Sequence, residues 1–261
     1  MKYGTILKNE NFKSDYYEIV FYNPKIAAEA RAGQFVHVQI DDISSRMLRR
    51  PFSIHDTDKE AGTVTVVYKV VGDGTKRLAQ KKAGDCCDLL AALGNSYSDV
   101  AADEYPIIID GGYGAAATYI LAKTSPIKGS FLFGARGEQD VILTEKYQKL
   151  GWDVRIATND GSVGKQGFVT DLIKDVVADN PGKKFKFFAC GPHPMLIALS
   201  KILMQENLAG EISLDHVMCC GIGACFACVV KVNADNEQKW RYARSCSEGP
   251  VFDVKEVYLG E

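Results

Sequence analysis

Apolar and polar positions change rhythm along this chain. Over residues 1–100 they alternate in short stretches. GQFVHVQI and TVTVVYKV are rich in β-branched residues at the period of a half-buried strand. Gly-Asp, Gly-Asn and Asp-Gly pairs punctuate them. The pattern predicts an antiparallel barrel or sandwich. Near Tyr105 it gives way to YPIIID, a short continuous apolar run suited to a strand buried on both faces. SFLFGA, WDVRIAT and KFKFFACG read as further strands. AAATYILAK, LTEKYQKLG, FVTDLIKDVVAD and PMLIALSKILMQEN read as helices between and after them. Strands alternating with helices predict a parallel α/β sheet over residues 101–209. Residues 210–261 then form a small cysteine-bearing unit.

Composition narrows the choice of partners. Hydrophobic residues make up 46% of the chain, charged residues 25%, and the net charge is −2. This is an ordinary globular balance, with no basic block for nucleic acid or an anionic membrane. The stretch MKYGTILKNENFKSDYYEIV lacks the apolar core of a signal peptide. No run approaches the ~18 apolar residues of a spanning helix. The expected location is cytoplasmic, where thiols stay reduced, which disfavours disulfides.

Sulfur is concentrated late in the chain. Cys220, Cys225, Cys228 and Cys246 follow the spacing C-x4-C-x2-C-x17-C. The first three match the plant-type [2Fe–2S] ligand run, and a distant fourth completes it. Gly221 and Gly223 allow a tight loop that brings N–H groups to the sulfurs. Zinc is the competitor, although its second C-x2-4-C knuckle is absent; inert buried thiols are the plainest alternative. Cys219 can replace Cys220 as first ligand, but the x4 spacing favours Cys220. His216 has no Cys-x-His partner for a Rieske site and reads as an ordinary histidine. Cys86 and Cys87 read as core packing.

Two further segments carry candidate chemistry. In LRRPFSI, a cation, an aromatic and a hydroxyl lie within Arg50–Ser53. Arg50 suits a pyrophosphate, Phe52 a flavin ring face, and Ser53 a flavin nitrogen edge. The plain alternative is a charged strand end. Downstream, Gly72 and Gly74 mark a turn, and Thr75 is placed at a helix start, where N–H groups bind phosphate. Strand end and turn together form a plausible clamp on a dinucleotide. In IIIDGGYGAAATYILAK, Gly112, Gly114 and Ala117 fit G-x-G-x-x-G/A between a strand and a helix. A close-packed β–α turn explains the same glycines. Cys190 and Gly191, in FFACGPHPM, fall at the carboxyl end of the last strand, where α/β sheets bind ligands. His193 reads as a packed or capping residue.

Arg-x-aromatic-Ser, a glycine-rich β–α turn and a late Cys-Gly-Pro, in this order, resemble the ferredoxin reductase-like flavoproteins. More closely, LRRPFSI, GDGT, GARGEQD, DGSVGKQGFVTDL, ACGPHPML, CCGIGACFACVV and CSEGPVFDVKEV resemble the electron transfer subunits of type B dihydroorotate dehydrogenase, over nearly the full length. The resemblance implies three units: an antiparallel FAD-binding β barrel (1–100), a parallel-sheet NAD-binding α/β domain (101–209) and a [2Fe–2S] module (210–261). Arg50, Pro51, Phe52, Ser53, Val67, Tyr68, Lys69, Gly74 and Thr75 would hold FAD. Gly111, Gly112, Gly114, Cys190, Gly191 and Pro192 would border the nicotinamide. Cys220, Cys225, Cys228 and Cys246 would ligate the cluster.

The implied function is an NAD-linked FAD/iron–sulfur oxidoreductase subunit of pyrimidine biosynthesis. Its partner is an FMN-containing catalytic subunit that oxidises dihydroorotate, in a heterotetramer of two of each. Electrons would run through [2Fe–2S] and FAD to NAD⁺, with no catalytic acid or base in this chain. The family's turn commonly reads Gly-Gly-Ile-Gly followed by prolines, whereas here it reads GGYGAAAT. That departure bears on NAD binding and leaves room for a paralogue with another partner. The small subunit of an NADH-dependent reduced ferredoxin:NADP⁺ oxidoreductase shares the architecture. Arg136 suits a 2′-phosphate and Glu138 a free ribose hydroxyl, so NAD and NADP both stay open. From a different class, a zinc-stapled binding module without redox chemistry would be colourless.

Overall fold

The computed structural model describes residues 2–40, 48–214 and 217–259. Alternation in the first hundred residues closes into a barrel. β1 (Lys2–Lys13), β2 (Tyr16–Tyr22), β3 (Phe35–Gln39), β4 (Arg50–Asp58), β5 (Thr63–Lys69) and β6 (Cys86–Leu93) pair antiparallel in the order β1-β2-β5-β4-β3-β6. The short helices α1 (Pro24–Glu29) and α2 (Asp73–Leu78) fill two of the connections. Ile6, Ile19, Phe21, Val36, Val38, Val64 and Val66 point inward. The same alternation puts Cys87 in the core but leaves Cys86 exposed, so only one of that pair packs as expected.

The second sheet has the order β10-β9-β8-β7-β11-β12-β15. Its parallel strands are β7 (Glu104–Gly111), β8 (Ser130–Ala135), β9 (Asp153–Thr158), β10 (Lys165–Gln166), β11 (Lys184–Cys190) and β12 (Ala209–Ser213). Helices α3 (Ala115–Thr124), α4 (Thr144–Lys149), α5 (Ile173–Asp179) and α6 (His193–Gln205) connect them. From β7 the chain first winds towards β9, then returns to lay β11 on the other side. The topological switch point therefore falls between β7 and β11, where Asp110 pairs with Cys190. The last stretch adds the hairpin β13 (Val229–Asn233) and β14 (Trp240–Arg244), then β15 (Val251–Asp253). β15 runs antiparallel to β12 at the sheet edge.

Barrel and sheet share a core. Ile108, Phe131, Phe133 and Phe188, on one sheet face, join the barrel residues through Ala115, Ile120 and Leu121 of α3. Ile107, Ile109, Leu132 and Phe187 occupy the opposite face with α6, which is why YPIIID had to be apolar throughout. Ion pairs cross the same boundary: Lys69–Asp140 at 2.8 Å, Lys123–Asp56 at 2.8 Å and Lys146–Glu18 at 2.6 Å. Partly exposed pairs contribute at most about 1 kcal/mol each. Burying a single large apolar side chain contributes about 1.5–3 kcal/mol. The apolar core therefore fixes the boundary, and the ion pairs orient it. Among the described residues no helix is long and apolar enough to cross a membrane.

Candidate cluster loop and flavin cleft

Gly221 (φ +72°) and Gly223 (φ +81°) adopt left-handed backbone that other residues resist. Their turns aim backbone N–H groups at sulfur. Ile222 N and Ala224 N donate to Cys220 Sγ at 3.5 and 3.3 Å, and Gly223 N to Cys246 Sγ at 3.2 Å. Cys246 N donates to Cys228 Sγ at 3.4 Å. Burial raises the Cys220 pKa, but the N–H groups of Ile222 and Ala224 and contact with Cys225 outweigh it and bring the thiol down to about 6. Cys246 goes the other way, to about 11, through burial and its neighbour Cys228. Cys220 neighbours Cys225, which also neighbours Cys219, and Cys246 neighbours Cys228.

Among the described residues no three cysteine, histidine or acidic side chains converge as on a single metal ion. Zinc demands four ligands around one ion, whereas a two-iron cluster takes four thiolates around two irons. Cys219 also touches Cys225, but burial and the neighbouring thiols push its pKa up. The thiolate a metal needs is better prepared at Cys220. His216 lies outside the described residues.

The hairpin holds this loop in place. Arg244 Nη1 donates to Gly223 O at 3.2 Å. Glu248 accepts from Arg244 N and Nε and from Arg241 Nη1. The Arg244 N–H, ahead of the guanidiniums, holds its carboxyl at about 2. Ser245 Oγ donates to Leu214 O at 2.6 Å. Cys228, Cys246 and Met218 then pack on Phe35 of β3 and on Leu93 of β6. The sulfur-bearing loop thus rests on the outside of the barrel, beside β4.

β4 opens with the flavin segment. A Cβ built on Gly74 would lie 3.0 Å from Arg50 Nε, so the guanidinium and the Gly72–Thr75 turn meet as the two sides of a clamp. Thr75 Oγ accepts from Val71 N and Gly72 N at 2.9 and 3.1 Å, which stiffens the turn. Pro51, Phe52 and Ser53 are half-buried, and Ser53 faces Phe35 across the ladder. Val67 and Tyr68 are buried. The Tyr68 hydroxyl donates to Asn9 Oδ1 at 3.0 Å, and its ring lies 5.7 Å from Phe52. Lys69 is engaged by Asp140. Arg50, Gly74 and Thr75 come together; Tyr68 backs them from inside the barrel, while Val67, also buried, lies on the other face of β5.

At the switch point the glycine turn and the Cys-Gly-Pro turn press backbone on backbone. A Cβ on Gly114 would meet Cys190 O at 2.3 Å, one on Gly191 would meet Gly111 N at 2.9 Å, and one on Gly111 would meet Pro192 Cδ at 2.7 Å. These three glycines answer to packing. Gly112 (φ +56°) differs, with open space where a Cβ would sit. Pro192 caps α6, and His193 is exposed rather than packed. In the loop after β8, Arg136 lies beside Asp140 and lowers its pKa, after Lys69 and Tyr16. The Asp160 carboxylate closes on Gly137 instead.

The iron–sulfur cluster binding domain of dihydroorotate dehydrogenase B matches residues 215–258, and an FAD-binding domain matches residues 2–117. The dihydroorotate dehydrogenase B (NAD(+)) electron transfer subunit of Fusobacterium nucleatum subsp. nucleatum is 36% identical over 260 residues, 98% of this chain and 97% of that one. Its counterpart in Shouchella clausii is 37% identical over the same shares of both chains. The chain belongs to this family of electron transfer subunits. Among solved structures, an NADH-dependent reduced ferredoxin-NADP oxidoreductase superposes with a TM-score of 0.85 at 28% identity, covering 98% of this chain and 90% of that one. A cytochrome P450 reductase from Amycolatopsis shares the fold, with a TM-score of 0.65 at 20% identity over 78% of this chain and 66% of that one.

Two buried residues of this family member escaped the sequence reading. Asp110, fully buried beneath the glycine turn, accepts from Cys190 N at 3.0 Å and bonds Thr118 Oγ, which in turn bonds Tyr147 OH at 2.7 Å. Burial raises its pKa to about 8 against the pull of Thr118 and Cys190. His37, on β3, is equally buried and lies against the cysteine loop. An aspartate in an otherwise apolar strand was a readable signal; His37 sits inside an alternating strand and gave none.

Proposed function

We propose that this chain is the electron transfer subunit of an NAD-linked dihydroorotate dehydrogenase. It receives electrons from a partner that oxidises dihydroorotate and delivers them to NAD⁺. One observation carries the reading: Cys228 and Cys246, the last two of the four spaced cysteines, rest on the barrel strand next to the one bearing Arg50-Pro51-Phe52-Ser53. Cys220, Cys225, Cys228 and Cys246 hold the cluster. Arg50 and the Gly72–Thr75 turn hold the FAD pyrophosphate, Phe52 and Ser53 border its ring, and Val67, Tyr68 and Lys69 support that wall. Gly111, Gly112, Gly114, Cys190, Gly191 and Pro192 frame the nicotinamide edge at the switch point. When bound, FAD supplies the exchange between single electrons and a hydride.

The relatives at 36–37% identity are named for NAD(+). The position of Asp160, which would repel a 2′-phosphate, agrees with NAD. The partner is proposed to carry FMN and to assemble two-and-two with this chain in the cytoplasm. The three functional units are proposed as residues 1–100, 101–209 and 210–261. The ferredoxin-NADP reading rests on lower identity, and a zinc-stapled module is disfavoured by the match of residues 215–258 to an iron–sulfur cluster binding domain.

Purified chain should be yellow-brown, release FAD on denaturation and contain iron and acid-labile sulfide in equal amounts. Adding the partner should confer dihydroorotate-dependent NAD⁺ reduction. Colourless, iron-free protein, or a partnered complex inert towards dihydroorotate, overturns the proposal.

A further inference from the structure

Between the cysteine loop and the flavin strand lies a histidine whose burial packing does not explain. On β3, Val36 and Val38 point into the barrel core, so the alternation sends Phe35 and His37 outward. Phe35 packs on Cys228 and Cys246. His37 is fully buried with its ring edge-on to Phe35, at 5.8 Å between centroids. Across the ladder it faces Pro51 on one side and Leu90 on the other. Among the described residues neither Nδ1 nor Nε2 has a hydrogen-bond partner. A buried polar group left unsatisfied is destabilising, so an apolar residue would serve plain packing better.

The ring also has a direction. A Cβ on Gly221 would lie 2.7 Å from His37 Nδ1, closer than to Cε1 or Cγ. Nδ1 is thus the ring atom turned most directly to the loop, at the residue after Cys220. The ring is neutral: burial, then the charges of Arg49 and Arg50, lower its pKa to about 4. A neutral imidazole has one N–H and one acceptor nitrogen. The loop already gathers backbone N–H groups around sulfur, from Ile222, Gly223, Ala224 and Cys246. An orphaned side-chain N–H at its edge fits the same electrostatic demand, since sulfur in an iron–sulfur site accepts hydrogen bonds that set its potential.

We propose that His37 presents its Nδ1–H to the sulfur-bearing loop at Gly221, as a positioning residue that sets the reduction potential of the bound cluster and ties the loop to the flavin strand. This rests on the cluster and flavin reading above. A donor near sulfur stabilises the reduced, more negative state, so its removal lowers the potential. Nδ1 and Nε2 can be separated by substitution, because an asparagine amide nitrogen occupies the place of Nδ1 and a glutamine amide nitrogen that of Nε2.

The test is a redox titration of the cluster in the complete complex with its partner, followed by electron paramagnetic resonance. The His37→Leu, His37→Asn and His37→Gln variants are compared at matched iron and sulfide content. His37→Leu is expected to shift the midpoint potential downward and alter the signal of the reduced cluster. His37→Asn is expected to restore both, and His37→Gln is not. An unchanged potential in His37→Leu overturns the proposal, as does rescue by glutamine in place of asparagine. Should His37→Leu fail to retain the cluster, the asparagine and glutamine variants decide alone, and equal potentials in those two overturn it. A wild-type complex without any iron overturns the cluster reading itself along with this one.

Discussion

Asp110 ends an apolar strand with a carboxyl group that has no water to face. Its neighbours are the Cys190 N–H and the Thr118 hydroxyl, with Tyr147 beyond. Both neighbours donate to it and favour the carboxylate, yet two hydrogen bonds do not offset complete burial. Burial accordingly raises its pKa from 3.8 to about 8. The sign of the linkage follows. Between pH 4 and 8 the unfolded chain releases the proton while the folded chain keeps it, so stability falls as pH rises. Asp110→Asn reproduces the neutral form and removes the slope. Its melting temperature should match wild type near pH 4 and exceed it at pH 8, by an amount corresponding to several kcal/mol. Parallel thermal melts would refute this if both proteins lost stability equally across the range. Arg50 poses the opposite problem, a charge that needs a ligand. Removing a charge-assisted hydrogen bond costs about 1.5–3 kcal/mol. Arg50→Ala should therefore weaken FAD binding by about 10- to 100-fold, measured as flavin retained after gel filtration. Full occupancy in the variant would remove Arg50 from the phosphate side of the clamp.

At the scale of elements, the cysteine loop is the most demanding piece of backbone. Gly221 needs its positive φ, and a methyl group there would enter His37. Left-handed backbone alone costs a non-glycine residue about 1–2 kcal/mol. Gly221→Ala should lower iron incorporation while leaving FAD content and the barrel intact. Iron assay against flavin absorbance reads the two apart, and a normal iron-to-flavin ratio would contradict the tight fit. This loop was legible beforehand because chelation ties residue type to spacing. So were the barrel strands and the βα alternation, since periods of two and of continuous burial are written in the residues facing the core. β12 and β15 were not legible. AGEIS and VFD are short and polar or mixed; the first becomes a strand because β11 offers a free edge, and the second because β12 then offers the next. Gly111, Gly114 and Gly191 were readable as special. That they also pack one turn against the other emerges only when two turns distant in sequence are pressed together. His37 stayed hidden because alternation says which way a side chain points and nothing about what it meets.

For the whole molecule, the arrangement of sites dictates where a partner must stand. The proposed nicotinamide edge falls at the carboxyl ends of β7 and β11, while the sulfur loop rests on Phe35 and Leu93 of the barrel. Around that loop Val217, Ile222 and Phe226 are 76%, 59% and 62% exposed. Three large apolar side chains grouped in so short a stretch mark an interaction surface more than ordinary scatter does. A partner seated there would meet the cysteines first and leave the nicotinamide edge open to solvent. Charge at this surface should then separate two activities that share one flavin. Val217→Glu or Ile222→Glu should slow dihydroorotate-dependent NAD⁺ reduction by the assembled enzyme at least ~10-fold, the effect of losing one central contact. NADH-driven reduction of a small dye uses only the flavin and nicotinamide sites and should proceed at the wild-type rate. Isothermal titration of the purified partner would show the weakened association directly. If both activities fell together the substitution would have damaged the chain itself, and if neither fell the partner would have to dock on another face.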